Sequence, residues 1–303
     1  MTHARRVGHE DLESAASGGS AACGQVEMTS FDEVYDQPDP RPFFRLLGNW
    51  DYQTPHHAQE VFRRLAAARR RTAHAPVTVL DICCSYGINA ALLNHSLTMA
   101  DLYDHYTSPR AAALTTAELI EWDRAYYAAH RLPDPHRVIG LDIAANAISY
   151  ALAVGLLDEG FAENLEAAPP TPALRRAAQP TLLVTLTGGA SFLSPRTFQP
   201  LLAAAHEQVW VAAFVLRTCS YRPIADGLTP YGLTTEKAAA LSYPQRRFTS
   251  VHEQRYALAA VTAAGEDPQG KETEGYFHAA LYLSRPAKDA AALPLTTFTS
   301  GGA

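Results

Sequence analysis

The sequence predicts an α/β protein built on a doubly wound sheet, and three stretches predict it. Residues 77–89 (V-T-V-L-D-I-C-C-S-Y-G-I-N) run apolar and β-branched residues into an acid, then a small-residue turn, then a helix over 88–97. Residues 137–142 (R-V-I-G-L-D) repeat the pattern of a strand ending in an acid, followed by a helix over 145–157. Residues 181–187 (T-L-L-V-T-L-T) and 209–216 read as two more strands around a helix over 195–206. Strands alternating with helices imply a sheet wound on both faces. Such sheets place ligands at the carboxyl ends of their strands, where Asp81 and Asp142 fall.

Composition bounds the function. The chain has 303 residues, 47% of them hydrophobic, enough for a substantial core. A net charge of −6 gives no electrostatic footprint for nucleic acid. There is no apolar run of membrane-spanning length and no secretion signal, so a cytoplasmic setting is expected. Cys23, Cys83, Cys84 and Cys219 show neither metal-ligand spacing nor a disulfide framework, and no metal is expected.

In chain order, residues 1–25 are expected to be a mobile tail, rich in Ala, Gly, Ser and charge. Residues 26–75 are expected to be a helical cap: Phe31, Val34 and Tyr35 fit one turn, the P-D-P-R-P run at 38–42 breaks it, and Phe43, Phe44, Leu46 and Leu47 resume an apolar face. Val61, Phe62 and Leu65 mark a further helix ending in Arg69, Arg70 and Arg71, read as a solvated helix end, while His56 and His57 are read as loop residues beside Pro55. Residues 76–286 are expected to be the main domain, and 287–303 a second tail. Within the domain, Gly87 lets the chain turn into the first helix. Residues 98–135 are an insertion in which aromatic and aliphatic residues recur at helical spacing, with Thr115 and Glu118 as a capping signal. Structured insertions of this size usually cover a site or form an interface, which makes His105, Tyr106, Glu121, Tyr126 and Tyr127 pocket candidates. Asn146 sits near a helix start, as a cap or as an amide offered to a ligand. Residues 218–235 read as a turn-rich loop carrying Tyr221, Arg222 and Tyr231, and residues 257–261 and 276–283 as the last strands.

The acid and small-residue turn over 81–87 resemble the first motif of class I S-adenosylmethionine (SAM) dependent methyltransferases, an acid followed by three alternating glycines. Asp81 matches the acid and Gly87 the third glycine, while Cys83 and Ser85 stand where the first two glycines would be. The resemblance implies a seven-stranded Rossmann-like sheet with an antiparallel last pair, with the helical cap packed over the SAM crevice. It implies SAM contacts from Asp81, Cys83, Ser85, Gly87, Asp142, Ile143, Glu163, Asn164 and Thr187. Asp142 would bind both ribose hydroxyls, and Glu163 or Asn164 the adenine amine. Tyr35, Phe43, Trp50 and Tyr52 would face the sulfonium. Asn146, Ser191 and Tyr106 are the candidates for orienting the reacting group.

Three functions follow from this resemblance. The first is methyl transfer to a small-molecule metabolite, in natural-product biosynthesis by the company these motifs keep; no Asp-Pro-Pro-Tyr or Asn-Pro-Pro-Tyr motif points to a nucleic-acid base. The second is cyclisation. The stretch D-I-C-C-S-Y-G-I-N-A-A-L-L, with S-F-D-E-V-Y-D-Q-P-D-P-R and G-L-L-D-E-G-F-A-E-N-L, is similar to a bacterial methyltransferase-like subgroup in natural-product pathways that would include the azetidine-2-carboxylic acid synthases. In these the α-amine of SAM attacks its own chain and methylthioadenosine leaves. The third is SAM binding without catalysis. The expected partner is a small molecule, not nucleic acid or membrane, and a homodimer is left open.

Overall fold

A computed structural model describes residues 28–239 and 241–299; the expected first tail lies outside them. The elements in chain order are α1 (Asp32–Tyr35), α2 (Arg41–Gly48), α3 (Thr54–Ala73), β1 (Thr78–Ile82), α4 (Ile88–Asn94), α5 (Met99–Thr107), α6 (Pro109–Ala113), α7 (Thr116–His130), β2 (Arg137–Asp142), α8 (Ala145–Ala153) and β3 (Glu159–Ala162). Then come α9 (Pro172–Ala178), β4 (Thr181–Thr187), α10 (Pro195–Ala204), β5 (Trp210–Leu216), α11 (Arg222–Leu228), β6 (Leu233–Lys237), β7 (Tyr243–Arg247), α12 (Val251–Ala263), β8 (Tyr276–Pro286), α13 (Ala287–Ala292) and α14 (Thr296–Thr299).

The sheet has eight strands in the order β3-β2-β1-β4-β5-β8-β6, with β7 also paired to β8. The pairs among β1 to β5 are parallel, and β8 is antiparallel to β5. This is the Rossmann-like, doubly wound arrangement with an antiparallel end that the motifs imply. β1 is buried along its whole length, as a central parallel strand covered on both faces should be. Its alternate residues divide between two cores: Val79 faces the side of α3, α4 and α8, while Leu80 and Ile82 face the side of α9, α10 and α11.

The far end of the sheet differs from expectation. Residues 257–261 are not a strand but lie within α12: Ser250 caps its start, accepting a hydrogen bond from Glu253 N, and buried Ala257 and Val261 stand one turn apart. Two polar strands take its place and raise the count from seven to eight. β6 and β7 pair antiparallel with opposite ends of β8, and the stretch expected as loop contains α11 and the start of β6. Cys219, after β5, is disulfide-bonded, which its spacing did not predict; Cys83 and Cys84 are free thiols.

The cap consists of α1, α2 and α3. His56 and His57 belong to the first turn of α3, where Pro55 is tolerated because that N–H has no helical partner. Arg69, expected in solvent, is buried, with its guanidinium 5.9 Å from the Trp210 ring. The insertion folds as α5, α6 and α7, and the Thr115/Glu118 capping box forms as read. Its apolar core encloses a polar network: Asp123, 0% exposed, accepts hydrogen bonds from His105 Nε2 (2.7 Å), Tyr106 Oη (2.6 Å) and Tyr150 Oη of α8 (2.5 Å). Tyr106 stacks on Phe44 of the cap at 4.7 Å. One carboxylate thus fastens the insertion to the sheet layer. Among the described residues no helix is long and apolar enough to cross a membrane.

Replacing Asp123 with Ala strands two buried donors, His105 and Tyr150, each costing about 1–3 kcal/mol, while the Tyr106 hydroxyl keeps its bond to Tyr127 Oη (2.8 Å). Denaturant unfolding should therefore show a loss of at least about 2 kcal/mol. A loss under about 1 kcal/mol would mean that the network carries no load.

Candidate functional site

At the carboxyl ends of β1, β2 and β4 the chain leaves a cleft of about 750 Å³, within the usual range for a small-molecule site. Its floor is the turn after β1. Cys83 (φ 55°), Ser85 (φ 48°) and Gly87 (φ 76°) all lie in the left-handed region. The two residues standing where the motif has glycines keep the backbone shape that glycine favours, at a cost of about 1–2 kcal/mol each. Specific contacts hold them there. Ser85 N donates to Asp142 Oδ2 (2.8 Å), and Gly87 N donates to Cys84 O (2.9 Å). Gly189 makes room for the unusual Cys83, since a Cβ on it would lie 2.6 Å from the Cys83 sulfur.

Asp142, at the end of β2, also accepts from Ala144 N (3.0 Å) and lines the cleft. Two backbone donors occupy its oxygens once each, which leaves two acceptor positions on the carboxylate. Beside it lie Ile143, Glu163, Asn164 and Leu165. Glu163 is engaged by the Thr171 backbone N–H and hydroxyl. Ile143, after β2, and Phe192, after β4, are large apolar side chains exposed at 70% and 62% that line the cleft.

Asp81 does not sit at the rim. It is 1% exposed and lies under the floor, where Oδ1 accepts from Thr185 Oγ1 (2.6 Å) and Asn89 Nδ2 (2.9 Å). Asn89 Nδ2 also donates to Thr187 Oγ1 (2.9 Å). Asn89 and Thr187 line the cleft, so the acid ties the start of α4 to the end of β4 and acts through them. Burial pushes the Asp81 carboxyl up to about 7, against the pull of its hydrogen bonds from Thr185 and Asn89. Its Oδ2 has no hydrogen-bond partner. Asn89 and Thr185 escaped sequence reasoning, although an Asn in the first turn of a helix following such a loop is a readable signal.

The roof comes from residues 28–36 and from Phe43 and Tyr52. Tyr35 and Phe43 meet edge-to-face at 5.5 Å, Phe43 and Tyr52 at 6.1 Å, and Tyr52 Oη donates to Thr187 O (3.1 Å). Trp50, expected with them, is not in the lining. The roof is fastened at both ends. Asn146 N donates to Asp36 Oδ1 (2.7 Å) and Asn146 Nδ2 to Asp36 O (2.9 Å). Glu253 accepts from Thr29 N (2.8 Å) while holding Arg246 through two bonds of 2.9 and 2.8 Å, and Arg246 also lies 5.0 Å from the Phe31 ring. Burial raises the Glu253 carboxyl but is outweighed by Arg246 and the N–H groups of Thr249 and Thr29, which hold it near about 2.

Of the three residues expected to orient a reacting group, Ser191 lines the cleft. Asn146 is outside it, its amide spent on Asp36. Tyr106 is buried in the insertion with its hydroxyl on Asp123. No residue of 98–135 lines the cleft, so His105, Glu121, Tyr126 and Tyr127 are also placed elsewhere: the insertion packs behind the cap instead of over the site. Tyr221 is buried against Tyr282, Arg222 faces Asp226 in solvent, and Tyr231 is outside the lining. Gln245 and Arg246 of β7 are in the cleft wall, a contribution that the sequence did not advertise because Y-P-Q-R-R lacks any strand pattern.

No protein-family model matches the chain, and no curated protein matches it. Among solved structures it is similar to the N-methyltransferase NodS from Bradyrhizobium japonicum WM9 in complex with S-adenosyl-L-homocysteine (12% identity over 88% of this chain and 99% of that one, TM-score 0.42). It is also similar to the plantazolicin methyltransferase BpumL in complex with SAH (10%, 84% and 93%, TM-score 0.39). A third is the O-methyltransferase TomG from Streptomyces achromogenes in complex with SAM (12%, 75% and 79%, TM-score 0.33). Likenesses at these scores say nothing about the cleft residues, whose chemistry rests on their own geometry.

Asp81 predicts a pH signature. An aspartate titrates near about 3.9 in the unfolded chain, so the folded state binds the extra proton between about pH 4 and about pH 7. The residue therefore costs stability increasingly across that window and by a constant amount above it. The melting temperature of Asp81→Asn relative to wild type should climb from pH 4.5 to pH 7.5. A difference independent of pH would contradict the assignment.

Proposed function

We propose that the cleft binds SAM and that the chain is a methyltransferase acting on a small-molecule acceptor. The observation that carries this reading is the junction of Asp142 with the left-handed turn: a carboxylate with two acceptor positions left faces the cleft at the end of β2, pinned to a turn that brings the backbone close to the same space. Those acceptors suit a vicinal diol, as on a ribose. Ile143 and Leu165 offer apolar surface for an adenine, with Asn164 and Glu163 beside it. The rings of Tyr35, Phe43 and Tyr52 suit a sulfonium, which aromatic faces attract without binding it covalently.

SAM supplies an electrophilic carbon on a good leaving group, so the protein's part is to align a nucleophile and keep water out. The fastened roof does the second, and Thr187, Gly188 and Ser191 at the end of β4 bound the space where the nucleophile approaches. Among the described residues no histidine or lysine lines the cleft, so a nucleophile that needs a base would draw on a lining carboxylate, and one that arrives already unprotonated needs none. An acceptor amine meets that condition, as does the α-amine of SAM itself in the cyclising alternative.

Calorimetry with SAM should show binding, and Asp142→Asn should weaken it tenfold or more while leaving the protein folded. Incubation with SAM alone then separates the reactions. Methyl transfer leaves SAM intact until an acceptor is added and then yields S-adenosylhomocysteine. Cyclisation yields methylthioadenosine at once. No heat with the wild-type protein would refute the proposal.

A further inference from the structure

We propose that the cleft selects its ligand by positive charge, holding the sulfonium form and releasing the neutral thioether left after reaction; this deepens the SAM reading above and rests on it. Five carboxylates line the cleft: Asp32, Asp36, Asp142, Glu163 and Glu166. Among the described residues none is in an ion pair. Those with side-chain hydrogen bonds are held by neutral donors: Asp36 by Asn146 N, Asp142 by Ser85 N and Ala144 N, Glu163 by Thr171, and Glu166 by Ser194 and Thr197. These bonds orient the carboxylates without cancelling their charge.

Arg246 is the cation among the described lining residues, and its charge is already matched. Glu253 takes it through two hydrogen bonds, in a pair that is buried on both sides. Among the described residues the cleft therefore presents negative charge with no free cation facing it. A half-enclosed space lined by one sign of charge concentrates the field and attracts ions of the opposite sign. The aromatic roof acts in the same sense, since ring faces of Tyr35, Phe43 and Tyr52 prefer a cation to a neutral sulfur. Carboxylates and rings on separate elements thus converge on one preference.

Either reaction removes the charge that is preferred. As the carbon–sulfur bond breaks, its electron pair stays on sulfur and quenches the sulfonium. The nucleophile bonds to that carbon and gives up its proton to solvent. SAM enters with a net charge of about +1, whereas S-adenosylhomocysteine and methylthioadenosine carry a neutral sulfur. The cleft thus loses its electrostatic hold on the nucleoside at the moment of turnover, and the product should inhibit weakly. The same field disfavours anionic acceptors, so carboxylates and phosphates are the poorest candidates for a second substrate.

Calorimetry on the full chain tests this with SAM, S-adenosylhomocysteine and sinefungin, in which an amine-bearing carbon replaces the sulfonium. SAM and sinefungin should each bind at least tenfold more tightly than S-adenosylhomocysteine in about 50 mM salt, and the gap should narrow as screening grows toward about 500 mM. Asp32→Asn combined with Glu163→Gln should narrow the gap at low salt. Equal or tighter binding of S-adenosylhomocysteine, or a gap indifferent to salt, would overturn the inference while leaving the SAM reading in place. Failure of all three to bind would overturn both.

Discussion

The cleft depends on one hydrogen bond between strands: Asp142, at the end of β2, receives the backbone N–H of Ser85 in the turn after β1. The turn needs that anchor because it is strained. Cys83 and Ser85 hold positive φ without being glycines, and a left-handed backbone persists in ordinary residues only where its surroundings fix it. Asp142 supplies part of that constraint from one side, and Gly189, by giving up its Cβ, supplies the room for Cys83 from the other. A carboxylate that braces the turn and still has acceptor positions left is a binding group prepared in advance.

Around this floor the polar networks serve position more than chemistry. Asp81 is buried at a cost and holds Asn89 and Thr187 in register. Glu253 fastens the roof through Thr29 and Arg246, and Asp123 ties the insertion to α8. Each is a single carboxyl group gathering several donors, the arrangement that lowers the cost of burying it. The acids that line the cleft form no ion pair among the described residues.

The parallel half of the sheet was readable because its physics is local. β2 and β4 run over the residues that their apolar patterns mark, 137–142 and 181–187, and strands buried on both faces have few other ways to be written. The antiparallel end was not. L-T-T-E-K and Y-P-Q-R-R are polar edge strands whose identity comes from β8, not from their own pattern, and A-L-A-A-V at 257–261 is a short apolar run that fits strand and helix alike until Ser250 is seen to cap the helix that contains it. In the site, the acid-tipped strands and small-residue turn were legible. The depth of Asp81, the diversion of Asn146 to Asp36 and the retreat of Tyr106 to Asp123 were not, since each is decided by a partner distant in sequence.

The most direct measurement of the central claim is a crystal structure of the chain grown with SAM or its product. Both ribose hydroxyls should lie within hydrogen-bonding distance of Asp142, with Ser85 N still donating to the same carboxylate and the sulfur facing Tyr35, Phe43 and Tyr52. A nucleoside bound elsewhere, or an Asp142 whose oxygens meet only backbone N–H groups, would contradict it.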